Sequence, residues 1–216
     1  MANNNIERWR DMSTTNISDA MDKLGINGGC LGITPIIQGL KMVGTAYTVH
    51  YIPCGQVKGT VGDYIDDVKP GEVIVIDDAG RDYCTVWGDI LTLYSKTNGI
   101  AGTVIDGVCR DIPSIREIIY PVFSKGHYMV TGKDRVEVDA VQVPVSISGV
   151  QVKPGDVLVG DDTGVVVIPQ DRADEVYEVA EEIGEAEDGI EKLVAEGHSI
   201  TEARRKYGYH TLQRKE

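Results

Sequence analysis

One pattern occurs twice in this 216-residue chain and limits what it can fold into. Lys69-Pro70-Gly71-Glu72-Val73-Ile74-Val75-Ile76-Asp77-Asp78-Ala79-Gly80 is echoed by Lys153-Pro154-Gly155-Asp156-Val157-Leu158-Val159-Gly160-Asp161-Asp162-Thr163-Gly164. Each copy reads as a Pro-Gly turn, a short apolar strand, and an acidic turn that leaves the sheet. Such a strand is buried on both faces, so layers of structure must cover it. Two copies do not make a solenoid, which needs at least about three. A duplicated strand unit accounts for the echo, and so does a common turn-and-strand solution reached twice.

The rest of the chain alternates between helical and strand patterns. Ser13-Thr14-Thr15-Asn16 offers N-cap oxygens to a helix with Ile17, Ala20, Met21 and Leu24 on one face, ended by Gly25. Gly28 to Gly32 reads as a flexible connection. Met42 to Ile52 predicts a strand, and Asp63 to Val68 a short helix. Asp89 to Lys96 predicts a helix stopped by Asn98-Gly99. Ile100 to Ile105 predicts a buried strand ending in Asp106-Gly107, and Ile112-Pro113 opens another helix. Short strands are expected at Pro121 to Phe123 and His127 to Val130, two more within Val136 to Val152, and one at Val165 to Ile168. Asp171 to Glu196 predicts a long amphipathic helix, weakened by Gly184 and Gly189, and a short helix follows Ser199. Strands and helices in alternation imply an α/β layer fold. No low-complexity linker divides residues 1–216, so one domain with helical N- and C-terminal extensions is expected.

The balance of 34 acidic against 21 basic residues gives a net charge of −13. That surface disfavours nucleic acid and anionic membrane as partners. A small anionic substrate stays compatible, because a local cationic pocket outweighs a field screened beyond about 10 Å. Cys30, Cys54, Cys84 and Cys109 form no C-x-x-C pair and read as reduced thiols. The polar N-terminus lacks the apolar core of a signal peptide, and the uncharged stretch Ala140 to Val152 is shorter than the ~20 residues of a membrane span. A cytoplasmic location is the expectation.

Chemistry is concentrated between the two echoes. Gly88-Asp89-Ile90-Leu91 stands where a helix begins, and the unpaired N–H groups and dipole of that end can hold a carboxylate. Arg110 follows a strand and presents a planar fork suited to a carboxylate or keto-acid oxygen. Asp111 offers a hard oxygen ligand to a divalent cation. Together these would make a pocket for a small 2-oxo acid. The same residues also have plain structural readings: Asp89 as a helix cap, and Arg110-Asp111 as a surface ion pair worth under ~1 kcal/mol.

The segment Trp87-Gly88-Asp89, twenty residues, then Arg110-Asp111 resembles the signature of class II pyruvate aldolases in the RraA-like family. Those include 4-hydroxy-4-methyl-2-oxoglutarate aldolase and 4-carboxy-4-hydroxy-2-oxoadipate aldolase. Gly99 to Gly107, Pro121 to Gly126, Ser18 to Gly25 and Lys153 to Pro169 also look like family landmarks, so the likeness covers residues 13 to 170. It implies a layered β/β/α swivelling-domain fold and a metal-dependent lyase that cleaves 4-hydroxy-2-oxo acids to pyruvate, with oxaloacetate decarboxylation as a side activity. It implies Mg²⁺ or Mn²⁺ on Asp111, the substrate carboxylate on the backbone of Gly88, Asp89, Ile90 and Leu91, and the enolate oxygen on Arg110. Asp89 would orient a water that takes the 4-hydroxyl proton. The same resemblance implies a homotrimer or homohexamer, with a carboxylate from a neighbouring subunit, Glu187 or Glu191 by position, completing the site. RraA proteins proper, which bind and inhibit an endoribonuclease, are the second reading. They characteristically lack the full acidic signature, which this chain keeps.

Other reactive residues read as structural. His50, His127, His198 and His210 are scattered. Cys109 lacks an evident base, and Lys96 lies on a predicted exposed helix face. Asp77-Asp78 and Asp161-Asp162 are expected to hydrogen-bond their own turns. Asp106 is either a turn residue or a support to the site. His50 to Cys54 departs from the family's usual wording.

Overall fold

The computed structural model describes residues 6–212. After a 3₁₀ turn (Glu7–Asp11), helix α1 (Thr14–Lys23) starts at Ser13, whose hydroxyl accepts the Asn16 N–H at 3.0 Å. Ile17, Ala20 and Met21 are buried, as the helical spacing requires. The strands are β1 (Thr34–Pro35), β2 (Met42–Pro53), β3 (Glu72–Thr85), β4 (Gly102–Cys109), β5 (Val122–His127), β6 (Val136–Val141), β7 (Val145–Ile147), β8 (Val150–Val152), β9 (Val157–Asp161) and β10 (Gly164–Ile168). The remaining helices are α2 (Asp89–Thr97), α3 (Ile112–Ile118), α4 (Ala173–Ala195) and α5 (Ile200–Lys206).

Eight strands form one mixed sheet in the order β1-β5-β4-β3-β2-β9-β10, with β6 also pairing β2. The β2–β3, β3–β4 and β4–β5 pairs are parallel, and the others are antiparallel. Alternation along the buried strands sorts side chains between two faces. Val73 and Val75 of β3 join Val104, Phe123, Leu158 and Val165 beneath the β7–β8 hairpin. Ile74 and Ile76 point the other way, to Ile105, Trp87 and Ile115 under α2 and α3. At the β9–β10 end of that helical face, Val157, Val159, Val166 and Ile168 pack against α1 and α4. Hairpin, sheet and helices therefore make three layers, a β/β/α arrangement.

The sheet curls almost to closure. A Cβ on Gly160 of β9 would lie 2.8 Å from Cζ of Phe123 on β5, although three strands separate them in the sheet. The Gly28–Ile36 segment bridges the remaining gap. Cys30 N–H donates to Val165 O at 3.0 Å, Val167 N–H to Gly28 O at 2.8 Å, and Ile36 N–H to Val122 O at 2.8 Å. The expected flexible connection is thus a pairing segment. Its glycine composition serves close approach, since a Cβ on Gly28 would stand 2.3 Å from the Val167 carbonyl.

Several boundaries also differ from the sequence reading. β3 and β4 run on through Asp77-Asp78 and Asp106-Gly107, with register shifts between Asp77 and Arg81 and between Arg81 and Thr85. Asp77 does hydrogen-bond its own turn through Ala79 N–H, but it also accepts from Ser146 N–H, and Asp106 accepts from Ser148 N–H. These acids latch the hairpin layer to the sheet. His127 ends β5, and no strand covers residues 128–130. Gly189, expected to weaken α4, makes room for the Tyr207 ring, which a Cβ there would strike at 2.3 Å.

Candidate active site

Residues 86–91, 110–111 and 131–133 follow the carboxyl ends of the parallel strands β3, β4 and β5, where open α/β sheets gather their ligands. They surround a cavity of about 230 Å³ lined by Val86, Trp87, Gly88 to Leu91 and Arg110 on one side. Val61, Gly62, Asp63, Thr85, Thr131 and Lys133 complete the wall.

Local structure fixes the centre. Arg110 N–H donates to Trp87 O at 3.0 Å, tying the loop after β4 to the loop after β3. Asp111 then takes the left-handed conformation (φ 59°), which aspartate tolerates better than most residues, at the N-cap position of α3, where its side chain makes no capping bond and stays turned to the site. This bend sets Oδ2 of Asp111 at 3.2 Å from Nε of Arg110 and at 3.3 Å from the Asp89 N–H, which donates to it. Both side chains are about one-third exposed, so the pair opens to solvent. No protein donor reaches Oδ1 of Asp111 among the described residues.

The first turn of α2 supplies the facing wall. Its Asp89 N–H is held by Asp111, and its Ile90 N–H donates to the Asp89 carboxylate at 2.8 Å. The N–H groups of Gly88 and Leu91 have no acceptor among the described residues. Gly88 is needed at the junction for space: a Cβ would lie 2.6 Å from Oδ2 of Asp111. Behind the turn, Trp87 Nε1 donates to Thr92 Oγ1 at 2.8 Å, and that hydroxyl donates to Gly88 O at 2.8 Å.

Of the six site residues singled out in the sequence, Gly88, Asp89, Ile90, Leu91 and Arg110 line this cavity, and the sixth, Asp111, is not in its wall but touches it through Gly88 and Asp89. Sequence reasoning missed the opposite wall. Val61 and Gly62 precede the 3₁₀ helix Asp63–Asp67, whose first residue completes this wall, and the segment is held where Tyr51 Oη donates to Val61 O at 2.6 Å. Lys133 follows β5, and only its place after a third parallel strand could have marked it. Glu187 accepts from Asn16 Nδ2 of its own chain at 2.7 Å, and Glu191 is exposed. Both lie on α4, which packs over β9 and β10 rather than over α2 and α3.

The remaining candidates sit elsewhere. Lys96 is exposed and donates to Ile119 O at 3.1 Å. Cys109 is fully buried, and burial pushes its thiol up to about 11. His50 pairs with Asp77, Nδ1 to Oδ2 at 3.3 Å. All four cysteines are unbridged. Among the described residues no three of His, Cys, Asp and Glu converge on one point, and no helix is long and apolar enough to cross a membrane.

Comparison with known proteins gives a consistent result. The sequence profile of a family described as RraA-like, Aldolase/RraA, matches residues 14–167. Protein DlpA of Legionella pneumophila is 45% identical over 95% of this chain, which spans only 34% of DlpA's length. A Halalkalibacterium halodurans protein named "Putative 4-hydroxy-4-methyl-2-oxoglutarate aldolase" is 33% identical over 88% of this chain and 89% of its own. Among solved structures, an uncharacterized protein of Pseudomonas syringae superposes with a TM-score of 0.89 at 42% identity, covering 94% of this chain and 98% of that one. Streptomyces coelicolor RraAS2, described as an unusual member of the RNase ES inhibitor RraA family, superposes with a TM-score of 0.80 at 29% identity, covering 87% and 96%.

Proposed function

Because the chain belongs to the RraA-like family, we propose that it is a divalent-metal-dependent lyase cleaving 4-hydroxy-2-oxo acids to pyruvate. The observation that carries this reading is the convergence of Arg110, Asp111 and the first turn of α2 on one cavity. The donor set suits Mg²⁺ or Mn²⁺. Among the described residues no donor reaches one carboxylate oxygen of Asp111, and such hard cations keep several waters, so a single protein carboxylate suffices. When bound, the ion polarises the 2-keto oxygen.

The protein's own groups do the rest. The N–H groups of Gly88 and Leu91 bind the substrate carboxylate at the positive end of α2. Arg110 faces the keto oxygen, where negative charge develops as the C3–C4 bond breaks. Asp89 orients a water that accepts the 4-hydroxyl proton. The C3–C4 electron pair then passes to the pyruvate enolate, and the oxygen at C4 becomes a carbonyl. Return of one proton to C3 gives pyruvate. Oxaloacetate decarboxylation passes through the same enolate. Lys133 at the rim is placed to meet a charge on the distal half of the substrate.

Ile90, which lines this cavity, and Leu93 on the same helix are apolar yet 77% and 57% exposed, which supports burial against another copy in a homo-oligomer. Glu187 or Glu191 would reach the pocket only from such a neighbour. The exposed patch equally suits the regulator reading, in which it would dock on a ribonuclease.

The test is pyruvate release from 4-hydroxy-4-methyl-2-oxoglutarate and from oxaloacetate with Mg²⁺ or Mn²⁺. Chelation should stop it, Asp111→Ala should abolish it, and Arg110→Ala should lower kcat/KM by about 10²–10³. No turnover of either substrate with either metal, together with binding to a ribonuclease, would transfer the assignment to the regulator.

A further inference from the structure

We propose that Thr92 is a positioning residue that sets the Asp111 carboxylate through the Gly88–Asp89 peptide. Thr92 is fully buried, and Trp87 is 2% exposed. The indole N–H of Trp87 donates to Thr92 Oγ1, and Thr92 Oγ1 donates to the Gly88 carbonyl, both at 2.8 Å. The same carbonyl also accepts Thr92 N–H at 3.1 Å. A peptide unit is planar, so fixing its carbonyl fixes the direction of its N–H. That N–H belongs to Asp89 and donates to Oδ2 of Asp111.

An unbroken line thus runs from a core indole to the carboxylate beside Arg110. Each hydrogen bond in it is directed, and its buried end at Trp87 and Thr92 is shielded from water, where such bonds polarise one another. A threonine bonding back to the carbonyl four residues earlier is a common helix feature by itself. Here the hydroxyl is also clamped by an indole from outside the helix, and the peptide it holds reaches a candidate ligand. Partners of this kind, one step behind a ligand, tune both its orientation and its affinity.

Nuclear magnetic resonance of the metal-free protein reads the line directly. The chain has two tryptophans, Trp9 and Trp87, so Trp87→Phe assigns the indole signal. Thr92→Val should move the Asp89 amide resonance, Asp111→Asn should move the Trp87 indole resonance, and Thr92→Ser should restore the first. Should Thr92→Val fail to fold, Trp87→Phe removes the other end of the line, and the Asp89 amide again decides. In a titration with Mn²⁺ alone, Thr92→Val should weaken binding about tenfold and Thr92→Ser about twofold or less. Unmoved resonances in a folded Thr92→Val protein overturn the proposal whether or not Mn²⁺ binds. The Mn²⁺ titration rests on the lyase reading, and the outcomes separate: shifted resonances without turnover refute the lyase alone, and turnover with unmoved resonances refutes the positioning role alone.

Discussion

Replacing Gly88 with alanine separates catalysis from stability. Gly88 has extended backbone (φ −159°, ψ −164°), which any residue adopts, so the substitution brings no backbone strain. Its added Cβ would stand 2.6 Å from Oδ2 of Asp111, where ordinary contact begins at 3.4 Å, so the carboxylate must retreat by about 0.8 Å. Cγ and Nε of Arg110 lie at 3.4 Å from the same Cβ and close off retreat on that side. The movement stretches the contacts to Asp89 N–H and Arg110 Nε, already at 3.3 and 3.2 Å, beyond hydrogen-bond range. A misplacement near 1 Å costs about 10²-fold in rate. The displaced side chain is one-third exposed and finds water, so the stability change should stay within about 1 kcal/mol. Thermal melting and Mn²⁺-dependent pyruvate release, measured on one preparation, check both numbers. Activity within twofold of the parent would show that Asp111 does not act from the position described, and would refute the reasoning.

Three further outcomes are expected. Gly160→Ala places a methyl 2.8 Å from Phe123 and 3.0 Å from Met42 inside the curled sheet, and should cost about 1–3 kcal/mol by denaturant melt, with Phe123→Leu recovering part of it. Burial, opposed by the Arg81 ion pair, pushes the Asp78 carboxyl up to about 6, so the folded chain keeps a proton that the unfolded chain releases near its ordinary value of 3.8. Its stabilising contribution is full below that value and disappears as pH rises through 6, and Asp78→Asn should flatten the stability–pH curve there by up to about 1.4 kcal/mol per pH unit. Ser13→Ala removes the hydroxyl that accepts Asn16 N–H at the start of α1 and should lower stability by about 1 kcal/mol.

Helices α1, α2 and α4 were legible because their signals are local: a capping serine, an Asn-Gly stop, and an apolar stripe at helical spacing. Most strands were equally legible from apolar runs between turns, whereas β1, the three rather than two strands within Val136 to Val152, the missing strand at residues 128–130 and the strand ends were not. Asp77, Asp78 and Asp106 look like turn residues because acids seldom lie inside sheets. Here the hairpin N–H groups of Ser146 and Ser148 supply partners to Asp77 and Asp106 from far along the chain, and the Arg81 guanidinium, three residues on, supplies one to Asp78. Gly28 to Gly32 misled for a related reason, since glycine marks flexibility and close approach with the same letter.

The sequence by itself determined the residue types at the candidate site, the helix that begins at Asp89, and the arginine and aspartate after β4, because each depends on neighbours within a turn or two. Only the tertiary structure decided that the two loops meet, that Asp111 faces the Asp89 N–H, and that residues 61–63 and Lys133 close the cavity. Those contacts join segments up to 72 residues apart, Val61 to Lys133, and the parallel pairing of β3, β4 and β5 places the loops that follow them side by side.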